Sequence, residues 1–321
     1  MENRDLTPVT RREFLERAAL TAAMLEFSAR LKASADRMFV SLNGSLTRGV
    51  SGADRARLAA KLGYGGVDWD LGPAKSAGVE ATKALFAELK IQPTIVNLPM
   101  ARPLPFGGDD AAFKEALKPL ADDAAFCAAI GCGKMMVVLP ASTTQPKEEQ
   151  RKLVRDRFAA ISEVLQKTSI RLGLEFLGPL YFRTGRAGGP PATPFIWNLP
   201  ETVALAKECG PNIGAILDVW HWHHSGGTTS DIIDAGKSRI VHVHLSDAKA
   251  AAPEDVRDNQ RFMPGEGVID LIGFLQALKR IGYADGISPE PLGRVPQEMS
   301  AEDAARLALE ATQAVMKRAG I

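Results

Sequence analysis

Cross-linking chemistry is nearly absent from this chain. It has three cysteines, Cys127, Cys132 and Cys209, in 321 residues. They are too few for a disulfide framework, and their spacing is not that of a zinc site. They read as buried structural thiols, with a Cys127–Cys132 bridge open only to an exported form. No run of 18 or more apolar residues occurs, so no membrane span is expected. The formal net charge is +1, which leaves no electrostatic footprint for nucleic acid or an anionic membrane. A Gly-rich phosphate loop is also missing. SLNGSLTRG follows the first apolar strand and is not a G-x-G-x-x-G, which counts against a doubly wound nucleotide-binding sheet. Histidine is scarce as well: there are five, and all of them fall between His221 and His244.

What is present is a regular alternation of strands and helices. About 45% of the residues are hydrophobic, enough for one large core. Eight strand candidates recur: 37–42, 63–70, 92–98, 134–139, 171–176, 213–219, 240–245 and 286–290. Amphipathic helical patterns separate them, including a long one over 111–130, and the last helix is read over 301–318. Most of the strands are continuous apolar runs, as a sheet covered on both faces requires. Eight such units predict a single (β/α)8 TIM barrel with long rim loops over residues 36–321. Residues 177–200 and 248–267 are the long loops, and both follow strands. In a barrel they would lie on the catalytic rim and cover the site.

The amino terminus differs in kind. Thr10-Arg11-Arg12-Glu13-Phe14-Leu15 resembles a twin-arginine export signal, followed by the mild apolar segment 18–25 and a small-x-small site at Ala33-Ser34-Ala35. Residues 1–35 are therefore read as a signal segment. The expected destination is the periplasm, or the cytoplasm if the segment is not a signal.

The chemistry concentrates at the ends of four strands. Glu175 ends RLGLE, Asp218 ends IGAILD, His244 lies near the end of IVHVHL, and Glu290 follows GISP. In a parallel barrel these positions face one rim. Three converging carboxylates would repel one another unless a cation joined them. An oxygen-rich set with one imidazole suits Mn, Mg or Co, and Zn is compatible. His221 lies three residues beyond Asp218 and can reach the same rim as a substrate ligand or proton donor. His242 shares a strand face with His244 and reads as a satisfied core histidine one layer deeper. His223 and His224 read as loop residues. Trp69, Phe106, Trp197, Trp220 and Trp222 are candidates for a sugar-binding wall.

With these residues in view, the chain resembles the xylose isomerase-like barrel superfamily. LEFLGP, LDVWHW, HVHLSDA, RFMPGEGVID and SPEPL follow the family's order, and GYGGVDWD resembles its second-strand segment. The resemblance implies a metal held by Glu175, Asp218, His244 and Glu290. It also implies substrate oxygens held by His221 and Arg261, with Asn97 at the end of the third strand counted beside them. The nuclease branch of the superfamily needs further histidines on the second and third strands. Here those strands offer Asp68, Asp70 and Asn97, so a one-metal sugar enzyme is expected.

The expected activity is a sugar isomerase or epimerase. Glu175 and Glu290 would transfer a proton through an enediolate of a ketose or keto-sugar. The alternative on the same site is a metal-dependent lyase or dehydratase of a keto-sugar or keto-glycoside. A diverged endonuclease-like hydrolase and a non-catalytic sugar-binding barrel stand behind these. The expected partner is a small carbohydrate, and family habit adds a homodimer.

Overall fold

The computed structural model of the chain describes residues 37–184 and 191–321. The signal expectation for residues 1–35 lies outside them, as does part of the first long loop.

Eight strands close into one parallel barrel. They are β1 (Phe39–Leu42), β2 (Gly66–Trp69), β3 (Gln92–Asn97), β4 (Lys134–Val138), β5 (Arg171–Glu175), β6 (Ile213–Asp218), β7 (Ile240–Leu245) and β8 (Gly286–Pro289). β1 pairs with β2 on one side and with β8 on the other. Each strand coincides with a predicted apolar run to within three residues. All positions of β6 and β7 are buried, which explains why their sequences do not alternate. Ile95 from β3 meets Ile216 and Val241 from β6 and β7 in a small separate apolar cluster, with Met136 of β4 packed against it. β3 does not neighbour β6 or β7 in the sheet, so this contact crosses the barrel interior.

Helices form the outer layer. Leu271–Arg280 shows how the sequence directs this packing. Leu271, Phe274, Leu275 and Leu278 are buried at i, i+3, i+4 and i+7, and the Asp270 side chain caps the helix at Gly273 N. Each of these side chains contributes about 1.5–3 kcal/mol on burial. One expected element divides. The single helical pattern over 111–130 is two helices, Asp110–Leu117 and Leu120–Ala129. Pro119 lies between them and lacks the N–H that a continuous ladder needs. Cys127, Cys132 and Cys209 are buried and free. Burial pushes the Cys132 thiol up to about 11 and the Cys209 thiol up to about 12, so these are inert packing groups.

Both long loops are partly structured. Thr193–Pro194 pairs antiparallel with Ser142–Thr143. Arg261–Phe262 pairs antiparallel with Asp247–Ala248, which turns the second loop back over the barrel mouth. The buried Asp247 carboxylate holds this turn, accepting hydrogen bonds from the amides of Gly265 (3.0 Å), Gly267 (2.9 Å), Ile269 (3.0 Å) and Ala248 (2.9 Å). A side chain at Gly267 would collide with Asp247 and with the Ala248 carbonyl, so only glycine fits. Among the described residues no helix is long and apolar enough to cross a membrane.

Candidate functional site

Register brings the strand-end residues together. Asp218 of β6 pairs directly with His244 of β7. Glu175 is the last residue of β5, two rungs from that pair. Glu290 follows β8, and its amide donates to the Leu245 carbonyl at 2.8 Å, so it forms one more rung. The result is a compact set in which one ligand atom from each of Glu175, Asp218, His244 and Glu290 lies within 4.8 Å of the others.

Electrostatics dominates this set. His244 Nδ1 lies 2.9 Å from Glu175 Oε1 and 3.5 Å from Glu290 Oε2. Burial works against a charged ring, but Glu290 and Glu175 push the His244 pKa up to about 10. Burial also raises Glu290, with Glu175 and Asp218 adding to it against His244 and Arg261, to about 7. Asp218 is fully buried. Burial opposes its charge, yet Arg261 and then His221 and His244 hold its carboxyl well below the usual range. The cluster thus contains three carboxylates whose negative charge is answered by a proton on His244 and by one guanidinium. Three carboxylates and one imidazole on a single centre form a donor set suited to a divalent cation. The direction of Nδ1, facing two of the carboxylates, fits that arrangement.

Arg261 arrives on the turned-back loop and is 2% exposed. Its Nη1 donates to Asp218 Oδ2 at 2.6 Å and to Glu290 Oε2 at 3.0 Å. Its Nε and Nη2 donate to Asp258 Oδ1 at 2.9 and 2.6 Å. The guanidinium also lies 4.8 Å over the Trp220 ring. Nη2 is 3.2 Å from His221 Nε2. A guanidinium can only donate, so Nε2 accepts and the ring is neutral with its proton on Nδ1. Burial, reinforced by Arg261, lowers the His221 pKa in agreement. Asp218 Oδ1 meanwhile caps the helix Val219–His224, accepting from the amides of Trp220 and His221.

A cavity of about 410 Å³ opens over the cluster, with Glu175, His244 and Glu290 on one side. The other side is built from Asn43, Arg55, Asp68, Trp69, Asp70 and Asn97, and Ile95 and Met136 contribute apolar lining. Asp68 accepts from Ser41 Oγ (2.9 Å) and Ser288 Oγ (2.8 Å) on Oδ1, and from Asn43 Nδ2 (3.0 Å) on Oδ2. Burial raises its pKa, while His244 and the two serine hydroxyls work in the opposite direction. His242 lies behind this wall, with Nε2 2.8 Å from Ser288 Oγ.

Glu175, Asp218, His244 and Glu290 come together as expected, and Asn97 lines the cavity. His221 and Arg261 do not line it; they stand behind Asp218, bonded to the cluster and to each other. His242 is in the core as expected, but only half satisfied, because its buried Nδ1 has no partner. Of the five aromatic candidates, Trp69 alone lines this cavity. Trp220 and Trp222 are buried in the main core, Phe106 packs on Phe158, and Trp197 lies under Arg183. Asn43 and Arg55 were missed. Asn43 follows an apolar strand, as Glu290 does, and that position was the available signal.

A family model described as xylose isomerase-like TIM barrel matches residues 56–314. An inosose isomerase of Bacillus velezensis is 25% identical over 213 residues, covering 65% of this chain and 71% of that protein. A 3-dehydroshikimate dehydratase of Pseudomonas putida is 28% identical over 142 residues, 43% of this chain but only 20% of that protein. Among solved structures, a xylose isomerase domain protein of Alicyclobacillus acidocaldarius superposes with a TM-score of 0.79 at 27% identity, covering 88% of this chain and 100% of that one.

Proposed function

The chain belongs to the xylose isomerase-like TIM barrel family, and from that premise we propose that it is a metal-dependent sugar isomerase or epimerase acting on a ketose or keto-sugar. The observation that carries this reading is the placement of two glutamates. Glu175 and Glu290 come from strands separated by β6 and β7, both approach His244 Nδ1, and both line one cavity. The similarity to an inosose isomerase supports the reaction class.

A divalent cation held by Glu175, Asp218, His244 and Glu290 would supply a Lewis acid that lowers the pKa of the C–H next to a substrate carbonyl. Mn, Mg or Co suits this oxygen-rich set, and Zn is compatible. One glutamate takes the proton from that carbon and leaves an enediolate. The other returns a proton to the opposite face or to the neighbouring carbon. Arg261 holds the Asp218 and Glu290 carboxylates in place and balances their charge. His221 is fixed in one tautomer by Arg261 and accepts from its Nη2. The apolar floor of Ile95 and Met136 limits the water that can compete for the intermediate.

A second reading uses the same first step. If the enediolate expels a group on the β-carbon, the enzyme is a lyase or dehydratase, and the similarity to a dehydratase favours keeping this reading. Proton NMR in D2O separates the two on metal-loaded protein with a panel of free ketoses and keto-glycosides. Loss of the C–H signal beside the carbonyl with a new epimer or aldose is the expected result. The same loss with release of water or an aglycone would assign the lyase. No exchange on any substrate, with the metal confirmed bound, would overturn both.

A further inference from the structure

The wall of the cavity facing β1 and β2 takes no part in the proton transfer, yet it is built as carefully as the cluster. Asp68 receives three donors, two on Oδ1 and one on Oδ2. His242 Nε2–H can donate to Ser288 Oγ at 2.8 Å, which commits the Ser288 hydrogen to Asp68. The carboxylate is thereby fixed as an acceptor in one orientation. A carboxylate oxygen has room for two donors, so Oδ2 keeps one free position. The side chain is 14% exposed, and the surface it borders is the cavity.

The charges around this wall are equally specific. Asp68, Asp70, Glu175 and Glu290 line the cavity, and Arg55 is the one lysine or arginine among the described residues that does so. Arg55 is not free to receive an anion. Its Nε bonds Thr47 Oγ1 at 2.9 Å, Nη1 pairs with Asp70 at 2.8 Å, and Nη2 bonds the Val50 carbonyl at 3.1 Å. Four carboxylates against one committed guanidinium leave the cavity negative even with a divalent cation in the cluster.

We propose that Asp68 accepts a hydroxyl of the substrate on the β1–β2 side of the cavity, and that the cavity takes neutral polyhydroxylated carbonyl compounds and rejects their phosphate esters and acids. This rests on the sugar-isomerase reading of the cluster and specifies its substrate class. A phosphate would enter a site where Arg55 is already engaged and the net negative charge repels it. A hydroxyl instead completes the one open position on Oδ2.

The test reads binding, so it does not depend on turnover. The full chain loaded with Mn²⁺ is titrated calorimetrically with non-reacting hexitols and inositols, their monophosphates and their monodeoxy analogues. Neutral polyols should bind, and each monophosphate should bind at least tenfold more weakly. Asp68→Asn should weaken the best polyol by about 10- to 100-fold, the worth of a hydrogen bond to a charged group. It should leave unchanged the deoxy analogue that lacks the hydroxyl read by Asp68, and it should narrow the gap between polyol and phosphate. The polyol-to-deoxy ratio is taken within one protein, so partial misfolding of the variant cannot mimic it. Tighter binding of phosphates, no polyol binding, or equal losses for polyol and every deoxy analogue would overturn the proposal. So would lower Mn²⁺ affinity with unchanged polyol binding, which would assign Asp68 to support of His244. Polyol binding as expected, without proton exchange in D2O, would leave this proposal standing and remove the isomerase reading.

Discussion

The two sides of the barrel mouth hold their carboxylates in opposite ways. On the β1–β2 side, Asp68 is met by neutral donors: two serine hydroxyls and an asparagine amide. On the β5–β8 side, Glu175, Asp218 and Glu290 are met by cationic groups: the proton of His244 and the guanidinium of Arg261. A carboxylate oriented by fixed neutral donors keeps its charge in place and has an acceptor position left for a neutral ligand. A cluster balanced by a removable proton is prepared to exchange that proton for another cation. The difference is what the proposed division between a recognising wall and a reacting wall requires.

The strongest way to break this contrast is to neutralise the reacting side. Glu175→Gln and Glu290→Gln should each slow solvent proton exchange by about 10²- to 10⁴-fold, measured by NMR in D2O, with circular dichroism unchanged. Asp218→Asn should be felt first in stability. It keeps an oxygen to cap Val219–His224 but withdraws one charge from the buried Arg261, and it should cost about 1.5–3 kcal/mol by urea unfolding. Adding Arg261→Met to that variant should deepen the loss, because Glu290 and Asp258 then lose the guanidinium that they share.

Acidity tests the exchange of proton for cation. His244 and Glu290 have pKa values raised to about 10 and about 7, so both release protons as pH rises. Cation affinity should therefore increase by up to about tenfold per pH unit for each proton displaced between pH 6 and 8, read by competition with a chelator. In the metal-free protein the sign is reversed. The raised His244 contributes stability that is fully present below its unfolded value of about 6.5 and is lost as pH rises through about 10. The thermal shift on metal loading should accordingly widen as pH rises. The smallest effect belongs to the recognising side. Ser288→Ala removes one neutral donor from Asp68 and should cost about 1 kcal/mol, with metal affinity held within about twofold.

The same contrast separates what could be read in the chain from what could not. The barrel was legible because fully buried parallel strands appear as uninterrupted apolar runs, and β6 and β7 are the clearest. The cluster was legible because each member stands at the end of such a run, where β/α geometry converges whatever the sequence separation. Asp68 lies inside its strand, and its partners Ser41, Asn43 and Ser288 come from β1, the turn after it, and β8. Sequence places Asp68 near Asp70 with nothing to show which one the serines hold and which one pairs with Arg55. Arg261 could be assigned to the rim but not to a layer, because that depends on the pairing of Arg261–Phe262 with Asp247–Ala248. Pro119 itself stands in the sequence, inside a helical pattern that continues on either side of it.

The Asp247 turn bears on how this mouth moves. One carboxylate accepts the amide hydrogens of Gly265, Gly267 and Ile269, so those three amides have a common acceptor. In native-state hydrogen exchange they should open as one unit, with similar protection, and not fray one by one as loop amides do. Because the same turn returns Arg261 to Asp218, the opening free energy of those amides also measures how firmly the guanidinium is held against the carboxylate cluster.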